Sequence, residues 1–167
     1  VTPPFMLRYV DQELDKEDPE ILGLKVLDII HMVEPDVIST FGPSGISNHP
    51  DHIAIHKSTL IAYDKYFSGP DQRRPLLLYP SIPADIAEMY NLELSEIEKN
   101  TDIIIDINDT IGHKIEGLKN YRSQEDAQEF ATHLSERSEP HLETFAISES
   151  SPSDWETYPI INFLRSI

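Results

Sequence analysis

The sequence of 167 residues contains no cysteine. This absence excludes disulfide bonds, thiolate metal sites and a cysteine nucleophile, so histidine and carboxylate side chains are the strong metal ligands that remain. The sequence also lacks an apolar run of about 20 residues, the length that a membrane helix needs, and no signal peptide opens it. We therefore expect no membrane partner and a cytoplasmic location.

Basic residues are scarce as well. Lysine and arginine together number 13, against 30 aspartates and glutamates, which gives a formal net charge of -17. Because phosphate groups would be repelled, this balance argues against nucleic acid and anionic membranes as partners. Hydrophobic residues make up 39% of the chain, which argues against wholesale disorder. A chain of this length can bury a sizeable core, as one α/β domain or a large piece of one.

A predicted strand, loop and helix organise the first half of the chain. Residues 36–41 predict a buried strand, because a short apolar and β-branched run follows Pro35 and ends at Gly42. Residues 53–67 predict a helix, with apolar and polar positions on different faces. In open α/β sheets, ligands bind beyond the carboxyl ends of the strands. The sequence therefore predicts an α/β fold with a ligand site in the loop of residues 42–52.

The remaining segments continue this alternation of helices and strands. The pattern predicts helices at 19–33, 85–90, 109–121 and 125–137, with Asp109 as the cap of the third. It predicts strands at 74–80, 101–107 and 141–147. The aromatic tail from Trp155 needs a surface to pack on. Residues 68–70 are expected to end the central helical segment.

Two histidines and a carboxylate stand together in the predicted ligand loop. Pro50 suits the first turn of a helix, so we expect His49 near the N-cap and Asp51 and His52 in the first turn. His49 and His52 are three residues apart and can face one cavity. Asp51 is a candidate for orienting the His49 ring, while His56 could share a helix face with His52. The alternative is a set of polar residues that only cap the helix.

The loop also carries a resemblance to a known family. Residues 40–52, Thr-Phe-Gly-Pro-Ser-Gly-Ile-Ser-Asn-His-Pro-Asp-His, resemble the second signature of the PIG-L/LmbE-like N-acetylglucosaminyl deacetylases, which are zinc-dependent enzymes. Residues 19–37 and 121–124 resemble further parts of that family. The first family signature, Ala-His-Pro-Asp-Asp-Glu, does not occur in these residues. The resemblance therefore implies that residues 1–167 are the carboxyl-terminal portion of a single LmbE-like deacetylase domain.

That resemblance implies a fold, a cofactor and roles for the loop residues. It implies a Rossmann-like, mostly parallel sheet flanked by helices, whose amino-terminal strands are missing from this chain. It implies zinc as cofactor, a small-molecule amino-sugar substrate, and His52 as a metal ligand. His49, tuned by Asp51, is then the oxyanion stabiliser or the general acid to the leaving amine. Because a catalytic zinc normally has three protein ligands, the other ligands and the general base are expected before Val1, and the 167 residues alone are expected to be inactive.

Two other classes of function stay open from the sequence. One is a metal-free interaction module whose acidic surface meets a basic partner. The other is an anion- or nucleotide-binding α/β domain that uses the helix amino end after Phe41. Against this second class, the sequence has no Walker or dinucleotide glycine pattern, and Asp51 would repel a phosphate. The identity of the N-acetylated sugar and the oligomeric state, including a homo-oligomer, stay open as well.

Overall fold

The computed structural model describes residues 3–66, 74–138 and 140–164. Its helices are α1 (Pro19–Val33), α2 (Gly45–Asn48), α3 (Pro50–Tyr66), α4 (Ala84–Met89), α5 (Ile111–Lys119), α6 (Glu125–Glu136) and α7 (Pro159–Leu164). Its strands are β1 (Val37–Ser39), β2 (Leu76–Pro80), β3 (Ile103–Asp106) and β4 (Leu142–Ile147), and short 3-10 helices lie at Leu14–Lys16, Ile97–Lys99 and Trp155–Thr157. In the three described ranges, no helix has the length and apolar character to cross a bilayer.

The four strands form one sheet in the order β1-β2-β4-β3. β1 and β2 are parallel, whereas β4 is antiparallel to both of its neighbours. Strands β1, β2 and β3 therefore run in one direction and β4 runs against them. The predicted α/β class is confirmed, and three of the four strands run in the same direction. The hydrogen-bonded pairs are nevertheless mixed, because β4 is inserted between β2 and β3.

The reversed direction of β4 follows from the helices that precede it. β3 ends at the carboxyl edge of the sheet, and α5 and α6 pack on each other and return the chain to that same edge. There Asp106 pairs with Leu142, and the Ile107 N–H donates to the His141 carbonyl oxygen at 3.0 Å. A strand that begins where its neighbour ends must run back along it. The sequence pattern predicted the strand but carried no signal for its direction.

One face of the sheet is covered by the carboxyl-terminal tail. The buried residues of this cluster come from β2, β3, β4 and the tail: Leu76, Leu78, Ile103, Ile147, Tyr158 and Ile161. The Tyr158 hydroxyl also donates to the Arg74 carbonyl oxygen at 2.8 Å. Tyr158 thus packs in the core and Trp155 packs against the same cluster, as expected of the tail, whereas Phe163 is 56% exposed. Residues 165–167 lie outside the described residues.

On the other face of the sheet, α3 covers the β1 and β2 side, and α1 packs on α3. Leu77 and Tyr79 of β2 pack against Tyr63 of α3. At Gly23 of α1, an added Cβ would lie 3.0 Å from the Ile61 side chain, so the absent side chain lets α1 and α3 pack closely. Both neighbours of β2 are strands and both faces of β2 are covered, so β2 is the most buried strand. The carboxyl end of β1 lies beside this buried strand.

Several boundaries differ from the sequence prediction. α1 has the predicted bounds, and Asp18 caps it by accepting the Glu20 N–H at 2.8 Å. The predicted helix cap at Asp109 is wrong, because α5 begins at Ile111 with Thr110 in the N-cap position. The end of the predicted central helix at residue 67, and the following segment 68–70, lie outside the described residues.

Candidate functional site

A loop of residues 42–48, which includes α2, leaves the carboxyl end of β1 and leads into α3. The Thr40 N–H still donates to the Leu78 carbonyl oxygen at 3.1 Å, so the loop starts beside the end of β2. Gly45, Ile46 and Asn48 have φ angles of 62°, 63° and 56°. Left-handed backbone is a strained choice for a β-branched residue, and such strain concentrates at functional sites. The 42–48 loop therefore lies where the sequence predicted a ligand site.

His49 follows this loop and is held by the backbone of the first turn of α3. Its Nδ1 accepts the Asp51 N–H at 3.2 Å, and its carbonyl oxygen accepts the Ile53 N–H at 3.1 Å. An Nδ1 that accepts must carry a lone pair, so the proton of the neutral ring lies on Nε2. His49 therefore presents a hydrogen-bond donor at its outer nitrogen.

His52 has the opposite arrangement. Its Nδ1–H donates to the Gly45 carbonyl oxygen at 3.0 Å, so the lone pair of the neutral ring lies on Nε2. The ring stacks on Phe41 with centroids 3.8 Å apart and an angle of 5° between the planes. The His49 and His52 rings are 4.8 Å apart. The structure thus brings the two rings together, as the three-residue spacing predicted, and in their neutral forms His49 presents a donor and His52 an acceptor.

The Asp51 carboxylate does not make the contact with the His49 ring that the sequence predicted. Its two carboxylate oxygens accept the backbone N–H groups of Gln12 and Leu14 at 2.7 and 3.0 Å, at the start of the first 3-10 helix. Its contact with His49 is made by its own backbone N–H. The His49 ring is thus oriented by the main chain, while the Asp51 carboxylate anchors the amino-terminal segment against α3. A catalytic role for Asp51 stays a prediction.

Comparisons with known proteins point to one family. A family model described as PIG-L, GlcNAc-PI de-N-acetylase, matches residues 1–63, the part that carries His49, Asp51 and His52. The chain resembles the PIG-L/LmbE family. Among curated relatives, it is similar to 1D-myo-inositol 2-acetamido-2-deoxy-alpha-D-glucopyranoside deacetylase of Kineococcus radiotolerans, with 33% identity over 51 residues. It is also similar to probable N-acetyl-alpha-D-glucosaminyl L-malate deacetylase 2 of Bacillus cereus, with 29% identity over 129 residues.

The extent of these similarities differs between the two relatives. The first covers 30% of this chain and 14% of the Kineococcus protein. The second covers 77% of this chain and 53% of the Bacillus protein. The chain therefore spans about half the length of the Bacillus relative and less of the Kineococcus relative.

His56 was the second histidine that could have joined His52 on one helix face. It is buried, its Nδ1–H donates to the Phe41 carbonyl oxygen at 2.8 Å, and its ring meets the edge of Tyr79 at 5.3 Å. Burial lowers the pKa of His56 below its ordinary value, although the hydrogen bond to Phe41 opposes that change. His56 is thus a neutral residue that packs α3 against β2.

The PIG-L/LmbE resemblance implies a zinc ion, so the question is how many of its ligands the site supplies. His52 fits one ligand position, because a backbone carbonyl fixes its ring and the Nε2 lone pair is available, as in other histidine ligands. Within residues 3–66, 74–138 and 140–164, no group of three or more His, Cys, Asp or Glu side chains could hold a metal ion. The described residues therefore fit one zinc ligand and do not supply a complete set.

Glu98 is the residue of this site that the sequence prediction missed. Its side chain is only 1% exposed, and it reaches the 42–48 loop from the 3-10 helix Ile97–Lys99. The local contact is with Ser95, three residues earlier, whose N–H and hydroxyl both donate to the Glu98 carboxylate. The contacts of Glu98 with the loop join residues 52 to 54 positions apart, and no local sequence pattern indicates them.

The Glu98 carboxylate is ionised despite its burial. Burial alone would raise its pKa, but hydrogen bonds outweigh that effect and hold the pKa below the ordinary value. The donors are the Ser44 and Ser95 hydroxyls and the backbone N–H groups of Ser44 and Ile46. At Gly42 an added Cβ would lie 2.3 Å from the Glu98 Cγ, so a glycine at this position lets the carboxylate approach the loop.

We expect Gly45→Ala to destabilise the protein by about 1–2 kcal/mol, the strain of a left-handed conformation for a residue with a Cβ. The new Cβ would also lie 2.8 Å from the His52 Cβ and displace that side chain. Urea unfolding measures the loss. The matched control is Gly117→Ala inside α5, where an added Cβ meets nothing within 4 Å and should be neutral or stabilising by up to about 1 kcal/mol. Equal stability of the two variants would contradict the strain assigned to Gly45.

Proposed function

We propose that the gene product carrying this chain hydrolyses the N-acetyl amide of an N-acetylglucosamine-type sugar or glycoconjugate, with zinc as its cofactor. The observation that carries the proposal is the pair of His49 and His52 at the end of a sheet strand, with ring centroids 4.8 Å apart and hydrogen bonds that assign them opposite tautomers. The names of both relatives, which are deacetylases of N-acetylglucosamine-containing compounds, support the same reaction.

Amide hydrolysis needs an activated water, a donor for the developing oxyanion and a proton for the leaving amine. When bound, zinc supplies Lewis-acid activation of the water and of the acetyl carbonyl. His52 would be one of its ligands, through Nε2. His49 would place its Nε2–H toward the developing oxyanion, because its Nδ1 is already occupied as an acceptor. A neutral ring that gave up this proton would become an imidazolate, so the Asp51 N–H contact favours the oxyanion role of His49 over the general-acid role.

Asp51 supports this arrangement through the backbone. Its N–H fixes the His49 ring, and its carboxylate holds Gln12 and Leu14 beside the start of α3. A carboxylate in the first turn of α3 disfavours the alternative of a phosphate site at this helix end. As part of the proposal, residues 1–167 are a portion of a single LmbE-like domain, and further zinc ligands and the general base come from elsewhere in the gene product.

The test is an assay of free amine released by the complete, zinc-loaded gene product. The substrates are N-acetylglucosaminyl malate, N-acetylglucosaminyl inositol and N-acetylglucosamine, which share the amide and differ in the group attached to the sugar. We expect amine release from at least one of them, loss of activity after chelation, and recovery on adding zinc. Absence of amine release from all three by a folded, zinc-replete protein would refute the proposal.

A further inference from the structure

One peptide group joins the buried Glu98 carboxylate to the His52 ring. The Ile46 N–H of this group donates to Glu98 Oε1 at 3.3 Å. The Gly45 carbonyl oxygen of the same group accepts the His52 Nδ1–H at 3.0 Å. Hydrogen bonds in such a chain polarise one another, so a negative charge at the N–H end makes the carbonyl at the other end a stronger acceptor.

Glu98 holds this peptide group together with the backbone hydrogen bonds of the turn. Ile46 has a φ of 63° and a ψ of -47°, a conformation that costs a β-branched residue about 1–3 kcal/mol and needs support from its surroundings. Glu98 provides that support from both sides, because it accepts the backbone N–H of Ser44 before Gly45 and that of Ile46 after it. The plane of the Gly45–Ile46 peptide group is therefore fixed, and with it the direction of the carbonyl that His52 meets.

We propose that Glu98 is a positioning residue for His52: through the Gly45–Ile46 peptide group it holds the proton of the His52 ring on Nδ1 and so keeps the lone pair on Nε2. A carboxylate that orients a ligand histidine is a common arrangement, and here a peptide group stands between the two. The inference rests on the proposed function only for the use of Nε2 as a zinc ligand. The tautomer of His52 does not depend on zinc.

The first experiment reads the tautomer directly. The complete gene product is labelled with ¹⁵N-histidine, and the ring shifts of His52 are recorded without zinc at about pH 8.5, where an ordinary histidine is neutral. We expect the Nδ1–H form in the wild-type protein. In Glu98→Gln we expect about a fivefold rise in the ratio of the Nε2–H to the Nδ1–H form, since a charge-assisted network becomes a neutral one. An Nε2–H form in the wild type, or an unchanged ratio in Glu98→Gln, would overturn the proposal.

Two further variants separate this role from general support of the loop. Glu96→Gln is the matched control, because its side chain is 92% exposed and pairs with Lys99. Ser95→Ala removes one hydroxyl donor but keeps the Glu98 charge and its contact with Ile46, so the Nδ1–H form should persist. Equal shifts in Ser95→Ala and Glu98→Gln would mean that Glu98 only holds the loop together. If circular dichroism shows that Glu98→Gln is unfolded, Gly42→Ala replaces it, since the new Cβ displaces the carboxylate.

Zinc affinity provides the second readout. Glu98→Gln should bind zinc about fivefold more weakly than the wild type, a smaller effect than the tenfold or more found when a direct orienting partner is lost. Glu96→Gln should bind as the wild type does. A wild-type protein that binds no zinc would refute the proposed cofactor but leave the tautomer result standing, so the failures of the two proposals can be told apart.

Discussion

His49→Ala is expected to lower kcat and kcat/KM together by about 100-fold, the loss seen when one oxyanion donor is removed. The reason lies in the tautomer: Nδ1 accepts the Asp51 N–H, so Nε2 presents the proton to the substrate side. An interaction made only in the transition state affects both kinetic constants equally. Steady-state deacetylation by the complete gene product, with its zinc content measured in parallel, tests this expectation.

The controls for this variant come from the same chain. His113→Ala removes an exposed histidine of α5 and should leave turnover unchanged. Asp51→Asn should slow turnover less than His49→Ala, since the backbone N–H that orients His49 is retained. A rise in KM alone for His49→Ala would make His49 a substrate-binding group. Loss of zinc from that variant would make it a metal ligand, and either result would contradict the assigned role.

The sequence was most informative where local chemistry decides the structure. The bounds of α1 were predicted because Asp18 caps its start, Pro19 fits its first turn and Pro35 follows its end. The direction of β4 was not predicted, because it depends on how α5 and α6 return the chain to the edge where Asp106 meets Leu142. Strand patterns contain no information about such a return.

Within the site, too, local contacts were predicted from the sequence and contacts between distant segments were not. The proximity of His49 and His52 was predicted, because His49 immediately precedes α3 and His52 lies in its first turn. The partners of the Asp51 carboxylate were not, since Gln12 and Leu14 are 39 and 37 residues away in sequence. The contacts of Glu98 with the 42–48 loop are longer still in sequence. Local patterns thus identified His49 and His52, to which the proposal assigns the chemistry, whereas the contacts of Asp51 and Glu98 come from distant segments.

His52→Ala is expected to lower the zinc affinity of the complete gene product by at least tenfold, because it removes the proposed ligand, whose ring is fixed by Gly45 and Phe41. Stability without zinc should change little, since the ring is only partly buried. Elemental analysis at limiting metal, together with urea unfolding in the presence of a chelator, measures the two effects separately.

His56→Ala is the matched comparison, and the opposite result is expected from it. This variant removes a buried ring and leaves the Phe41 carbonyl oxygen without its donor, which should lower stability by about 1–3 kcal/mol. Zinc affinity should stay close to that of the wild type, because the His56 ring packs against Tyr79 in the core. Equal zinc content in His52→Ala and wild type at limiting metal would exclude His52 as a ligand. Loss of zinc from a folded His56→Ala would instead restore the His52 and His56 pair as the metal-binding histidines.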